Sequence, residues 1–288
     1  MSLPRRTFAL LLAMTPGIGG KGVVRVLARN DLLGRSAEEF LRLSPEALRE
    51  EYRLGAKSAA LVGSANPASV HSLEERLDKL GVSLVTAADA HYPVRVEEMD
   101  PAPPGVLFFY GNSRLLNART FSVLASRGTP PRALERLEQR VEKGVLDAEV
   151  LVSGHDRPEY QRASVVPLRW GSPRIMCLDR GLFEALGENL RDEPFRAARL
   201  WRYQFDPSTD LVVSPFRPEA HYVGVNNQVR DRLIACLSDR LELVHANQGG
   251  NMERNAKLAL KAGRSVQVAS DCACAHALMA LGATELRD

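Results

Sequence analysis

The chain has 288 residues, 45% of them hydrophobic and 25% charged, the balance of a soluble globular protein long enough for two domains. A formal net charge of +3 excludes a uniformly basic chain, so a polyanionic partner would have to be met by positive charge gathered on one face. The four cysteines, Cys177, Cys236, Cys272 and Cys274, are too few and too unevenly spread for a disulfide framework, which points to a reducing, cytoplasmic setting.

In chain order, Arg5 and Arg6 precede an apolar run from Phe8 to Met14. No small-x-small cleavage site follows it, and Lys21 and Arg25 come soon after, so it reads as the first helix of a domain and not as a signal peptide. Leu32 to Leu43 carries apolar residues at helical spacing. Ser44-Pro45-Glu46 opens a further helix with a capping serine, a proline at the first position and an acid in the first turn. Leu73 to Leu80 reads as helix ended by Gly81. The Pro- and Asp-rich segment Tyr92 to Pro104 reads as a connection. The expected domains are a helical one over 1–80 and an α/β one over 81–288.

The remainder alternates. Strands are expected at Val106–Tyr110, Thr120–Ala125, Glu149–Ser153, Arg174–Leu178, Asp210–Ser214, Leu241–Ala246 and Ser265–Ala269. Amphipathic stretches at Arg132–Lys143 and Met252–Ala262 fall between them. Apolar strands joined by helices imply a parallel sheet covered on both faces, with ligands beyond the carboxyl ends of the strands. No apolar run is long enough to cross a membrane, and no membrane partner is expected.

Five segments offer chemistry. Thr15-Pro16-Gly17-Ile18-Gly19-Gly20-Lys21 is a glycine turn between helices, whose amides either approach a phosphate or only pack. Leu54-Gly55-Ala56-Lys57 looks like a weaker copy of it. Ser126-Arg127-Gly128-Thr129 follows a strand and precedes a helix, where small residues and a forked guanidinium suit an anion. Ser153-Gly154-His155-Asp156-Arg157 repeats that arrangement, with His155 read as a surface or packing residue. Asn226-Asn227-Gln228-Val229-Arg230-Asp231-Arg232 places two arginines at the head of an apolar stretch, to meet phosphates or to pair with Asp231 at a solvated helix start. Asn247-Gln248-Gly249-Gly250-Asn251-Met252, then Arg254, is a glycine loop lacking the Lys-Ser/Thr of a P-loop. Cys272-x-Cys274-x-His276 supplies at most three metal ligands and reads better as the start of a helix over Ala273–Leu281, so no metal or other cofactor is expected. No nucleophile–base–acid set is evident.

In order and spacing these pieces resemble the DprA/Smf family of DNA-processing proteins over nearly the whole chain. The resemblance runs from Pro16-Gly17-Ile18-Gly19 through Tyr92-Pro93, Phe109-Tyr110-Gly111-Asn112 and Ala125-Ser126-Arg127. It continues at Ser153-Gly154, Arg230-Asp231-Arg232, Gly249-Gly250-Asn251-Met252 and Ala262-Gly263-Arg264-Ser265-Val266. It implies an extended Rossmann-like parallel sheet behind an N-terminal all-helical domain of sterile-alpha-motif, helix-hairpin-helix type. It further implies dimerisation, single-stranded DNA binding without catalysis, and loading of a RecA-type recombinase. The site residues carried over are Ser126, Arg127, Ser153, Gly154, Arg157, Asn227, Arg230, Arg232, Gly249, Gly250 and Asn251, with the four arginines expected to converge at the strand ends and neutralise phosphates. The chain departs from the family pattern at Arg132-Ala133, Pro158-Glu159-Tyr160, Ala163-Ser164 and Asn227-Gln228. Two other readings therefore stand beside the first: a small-nucleotide sensor, and a nucleotide phosphoribohydrolase of the same Rossmann variant. The latter would need more than the glycine pair of Gln248-Gly249-Gly250-Asn251-Met252-Glu253.

Overall fold

Gly34 and Ser36 break the stretch read as one helix over Leu32–Leu43. Helix α2 (Gly20–Leu33) follows α1 (Arg5–Met14) and ends at Gly34, which takes the left-handed φ of +61°. Ser36 then caps α3 (Ala37–Leu41) in a reciprocal box with Glu39. The spacing was helical throughout, but a C-terminal glycine and a new N-cap divide it.

The structure is a computed structural model describing residues 3–194, 198, 200, 202 and 204–287. It divides into two units: Met1–Glu97 with Pro101–Phe108, and Glu98–Asp100 with Phe109–Asp288.

The first unit continues with α4 (Pro45–Tyr52), α5 (Ala56–Gly63) and α6 (Pro67–Lys79), then β1 (Val82–Thr86). The last helix starts earlier than the expected Leu73, because the Asn66 side chain accepts from the Ala68 amide and Pro67 fits the first turn. Phe8, Phe40 and Tyr52 form the aromatic centre of its core, with centroids 5.3 and 4.8 Å apart in edge-to-face contact. The Tyr52 hydroxyl donates to buried Asn30 at 2.6 Å, so the phenol enters the core with its polar end satisfied. The Pro16–Gly20 turn is committed to packing: the Gly20 amide donates to the Pro103 carbonyl at 2.8 Å, and a Cβ at Gly20 would lie 2.9 Å from the Pro104 carbonyl oxygen. The connection over Tyr92–Pro104 holds a short helix, α7 (Val94–Met99). Strand β2 (Val106–Gly111) follows.

In the second unit the chain runs β3 (Thr120–Ala125), α8 (Pro131–Leu146), β4 (Val150–Ser153), α9 (Pro158–Arg169), β5 (Arg174–Cys177), α10 (Leu182–Leu186) and β6 (Leu211–Ser214). It ends with α11 (Asn226–Leu237), β7 (Arg240–His245), α12 (Asn251–Lys261), β8 (Ser265–Val268), α13 (Ala275–Met279) and β9 (Thr284–Glu285). Seven strands lie in the order β6-β5-β4-β3-β7-β8-β9, every pairing parallel. Every residue of β3, β4, β5 and β6 is buried, as strands covered on both faces require. From β3 the chain steps outward through α8 and α9 in one direction, and from β7 through α12 in the other. Right-handed crossovers put those two sets of helices on opposite faces. Chain order therefore reverses between β3 and β7, and ligand crevices form at such a reversal, outside the carboxyl ends of the strands.

Candidate nucleic-acid interface

The reversal is held closed by Ser126. Its amide donates to the His245 carbonyl at 2.9 Å, and its hydroxyl accepts from the Asn247 amide at 3.2 Å. Thr129 donates to the Ser126 carbonyl at 2.6 Å, and Gly128 turns the loop at φ +74°. The Gly128 amide goes to buried Glu159 at 3.2 Å, tying this turn to the head of α9. Arg127 is left exposed, with no ion pair among the described residues.

Across the crevice, Gly249 has φ +71° and Gly250 is the N-cap of α12, where a Cβ would come within 2.8 Å of the Asn247 carbonyl. Their amides are already spent: Gly249 donates to Glu253 at 2.5 Å and Gly250 to Asn247 at 3.0 Å. Glu253 also pairs with Lys257. The glycine pair thus shapes the loop and does not offer its own N–H groups to a phosphate. Arg254, one turn into α12, is exposed and without an ion pair among the described residues.

Between these loops lies a cleft of about 270 Å³. Of the residues expected at the site, Ser126, Arg127, Arg157, Asn227, Gly250 and Asn251 line it, and Gly249 is in the adjoining turn. Gly224, Asp231, Asn247 and Arg254 line it as well. Arg254 could have been found from sequence, being one helical turn past the glycine pair; Gly224 carried no signal.

The expected convergence of four arginines is not what the fold makes. Arg230 is fully buried. It donates to Asp231 at 2.8 Å, to Asn227 at 2.9 Å and to Asp156, and lies 3.6 Å from Asp179. Burial opposes its charge, but Tyr160, Asp231 and Asp156 around it raise its pKa above the ordinary arginine value. Arg232 points away, to Asp100, at 3.0 and 3.1 Å. Arg157 reaches the cleft but pairs with Asp231 at 3.0 Å. Of the four, Arg127 alone has no ion pair among the described residues. Of the alternative reading, the pairing of an arginine with Asp231 holds, but the solvated helix start does not, since Asn226, Asn227, Arg230 and Asp231 are all buried at the head of α11.

Ser153 and Gly154 are also out of a ligand's reach. Ser153 is buried with no partner for its hydroxyl among the described residues, and a Cβ at Gly154 would meet the Tyr160 ring at 2.8 Å. His155 is a core residue. Its Nδ1 has no partner among the described residues, its Nε2 lies 3.9 Å from Asp179, and burial lowers its pKa to about 4. Asp179 is held below the usual carboxylate range: burial resists its charge, but the hydrogen bond from Arg180 and the nearby cations outweigh it. Cys272 and Cys274 are buried with their thiols toward the Leu243 and Ala246 carbonyls, and α13 is shorter than the expected helix. Among the described residues no group of three or more His, Cys, Asp or Glu could hold a metal ion, and no helix is long and apolar enough to cross a membrane.

A doubly wound parallel sheet with a polar cleft at its point of reversal defines a Rossmann-type protein, the cleft lying where ligands of such sheets bind. The family model for DNA recombination-mediator protein A matches residues 83–286. The chain belongs to that family. Its structure resembles that of DNA processing protein A (DprA) from Streptococcus pneumoniae, at 19% identity and a TM-score of 0.73, over 99% of this chain and 95% of that one. It also resembles DNA processing protein A from Helicobacter pylori, described for its single-stranded DNA binding mode, at 17% identity and a TM-score of 0.54, over 72% of this chain and 91% of that one. At these identities the likeness speaks for the fold. No curated protein sequence matches the chain.

Proposed function

We propose that the chain is a non-catalytic single-stranded-DNA-binding protein that acts as a homodimer, bringing a strand to a RecA-type recombinase. The observation that carries the reading is a pair of arginines without an ion pair among the described residues, Arg127 on the loop after β3 and Arg254 in the first turn of α12 after β7, both lining one cleft. A strand lying across the cleft puts backbone phosphates on these guanidiniums, with the side-chain amide of Asn247 nearby as a neutral donor. Attraction of this kind is electrostatic and is lost with salt. Family membership supports the nucleic-acid class, and the recombinase and the dimer follow from the resemblance alone.

The test is fluorescence anisotropy with labelled oligo-dT across a salt series. Affinity should fall steeply, with a log–log slope of about −0.7 for each phosphate neutralised. Arg127→Ala and Arg254→Ala should each weaken binding about tenfold and make the slope shallower by about 0.7. Binding that ignores both salt and these substitutions overturns the reading.

A second reading, a small-nucleotide sensor, is favoured by one observation: the inner arginines Arg157 and Arg230 are already neutralised by carboxylates. A thermal-shift screen separates the two, since stabilisation by mononucleotides but not by oligonucleotides favours the sensor.

A further inference from the structure

Asp231 is a carboxylate at the inner wall of a cleft read as a polyanion site. It is buried, 1% exposed, and its two oxygens accept four donors. Oδ1 takes Arg230 Nε at 2.8 Å and the Tyr160 hydroxyl at 2.7 Å. Oδ2 takes Arg157 Nη2 at 3.0 Å and Asn251 Nδ2 at 2.6 Å. These donors come from the heads of three helices, α9, α11 and α12. Two guanidiniums, a hydroxyl and an amide converging on one anion are the donor set that would bind a phosphate group. The charges behind the cleft also balance. Arg157, Arg180 and Arg230 face Asp156, Asp179 and Asp231, each arginine within ion-pair distance of at least one of these carboxylates.

We propose that Asp231 is an internal anion, occupying on Arg157 and Arg230 the place a phosphate would otherwise take. It thereby confines a bound strand to the outer rim at Arg127 and Arg254. Asp231 thus sets the affinity and depth of binding without touching the strand. The inference rests on the single-stranded DNA reading of the same cleft.

The experiment uses the full chain and labelled oligo-dT. Asp231→Asn keeps the shape and removes the charge, releasing Arg157. It should bind about tenfold more tightly at 0.1 M salt, the scale of one charge-assisted contact, with a log–log salt slope steeper by about 0.7 for one added phosphate. The gain should vanish in the double variant Asp231→Asn, Arg157→Gln. If wild type binds, and Asp231→Asn folds but binds no better and with the same slope, the internal anion is refuted and the DNA reading stands. If neither binds, the DNA reading falls and takes this one with it. Should Asp231→Asn fail to fold, Asp231→Ala with formate replaces it. A carboxylate supplied from solution should raise the melting temperature of Asp231→Ala and leave wild type unmoved, and an absence of rescue overturns the proposal.

Discussion

His155 lies on the loop after β4 with its ring closed off from water, beside Asp179 and with Arg180 and Arg230 in its field. Burial is the largest influence and takes its pKa from 6.5 to about 4. Between those two values the unfolded chain binds a proton that the folded chain refuses. Stability therefore rises with pH across that window and is lost on acidification from about pH 6.5 toward 4, by about 3 kcal/mol over the full span. Urea denaturation at pH 7 and pH 4.5 should show this difference, and His155→Gln should flatten it; an equally steep profile in the variant would sink the assignment. The same neighbourhood shows why the site was only partly legible. Ser126 and Arg127 could be placed from sequence because a turn between a strand and a helix is a local pattern. Pairing with the adjacent Asp231 could be suspected for Arg230, but the fuller fates of Arg230 and Arg232 were hidden because Asp156 and Asp100 lie 74 and 132 residues away. An arginine in a motif looks alike whether it faces solvent or a distant aspartate.

Strands β3 to β8 fall within a residue or two of the runs expected for them, because continuous Val, Leu and Ile between polar turns leave few alternatives when both faces are buried. Helix boundaries in the first unit were less legible, since apolar spacing persists across Gly34 while the backbone does not. The close seating of α8 on the sheet also escaped sequence reading. A Cβ at Gly144 would stand 2.3 Å from the ring of Phe121 on β3. Replacing a mid-helix glycine by alanine ordinarily favours the helix by about 1 kcal/mol. Here overpacking, typically about 1–3 kcal/mol, opposes it and should win, since Phe121 is a buried ring with little room to move. Gly144→Ala should therefore lower the urea midpoint, and Gly144→Ala with Phe121→Leu should recover part of the loss. A stabilised single variant would show that α8 can lift off β3 freely.

Across the whole chain, charge is nearly balanced, and the balance is kept locally. Most of the arginines near the reversal are matched by a nearby aspartate, and two have no ion pair among the described residues. That is the distribution a weakly basic chain needs if it is to hold a polyanion at one place. Family and fold class could be read from the order of short motifs, whereas the interior neutralisation emerges only when distant segments meet. The reversal between β3 and β7 also dictates when the cleft can exist. Ser122 on β3 bonds to β4 across 30 residues, but Thr120 meets Asp239, at the start of β7, across 119. Closing so long a loop costs more entropy and delays the pairing. After dilution from denaturant, oligonucleotide binding should return later than the far-ultraviolet signal of the helices, and simultaneous recovery would contradict this order. A newly made chain thus carries Arg127 well before the strand that completes the cleft around it has been made.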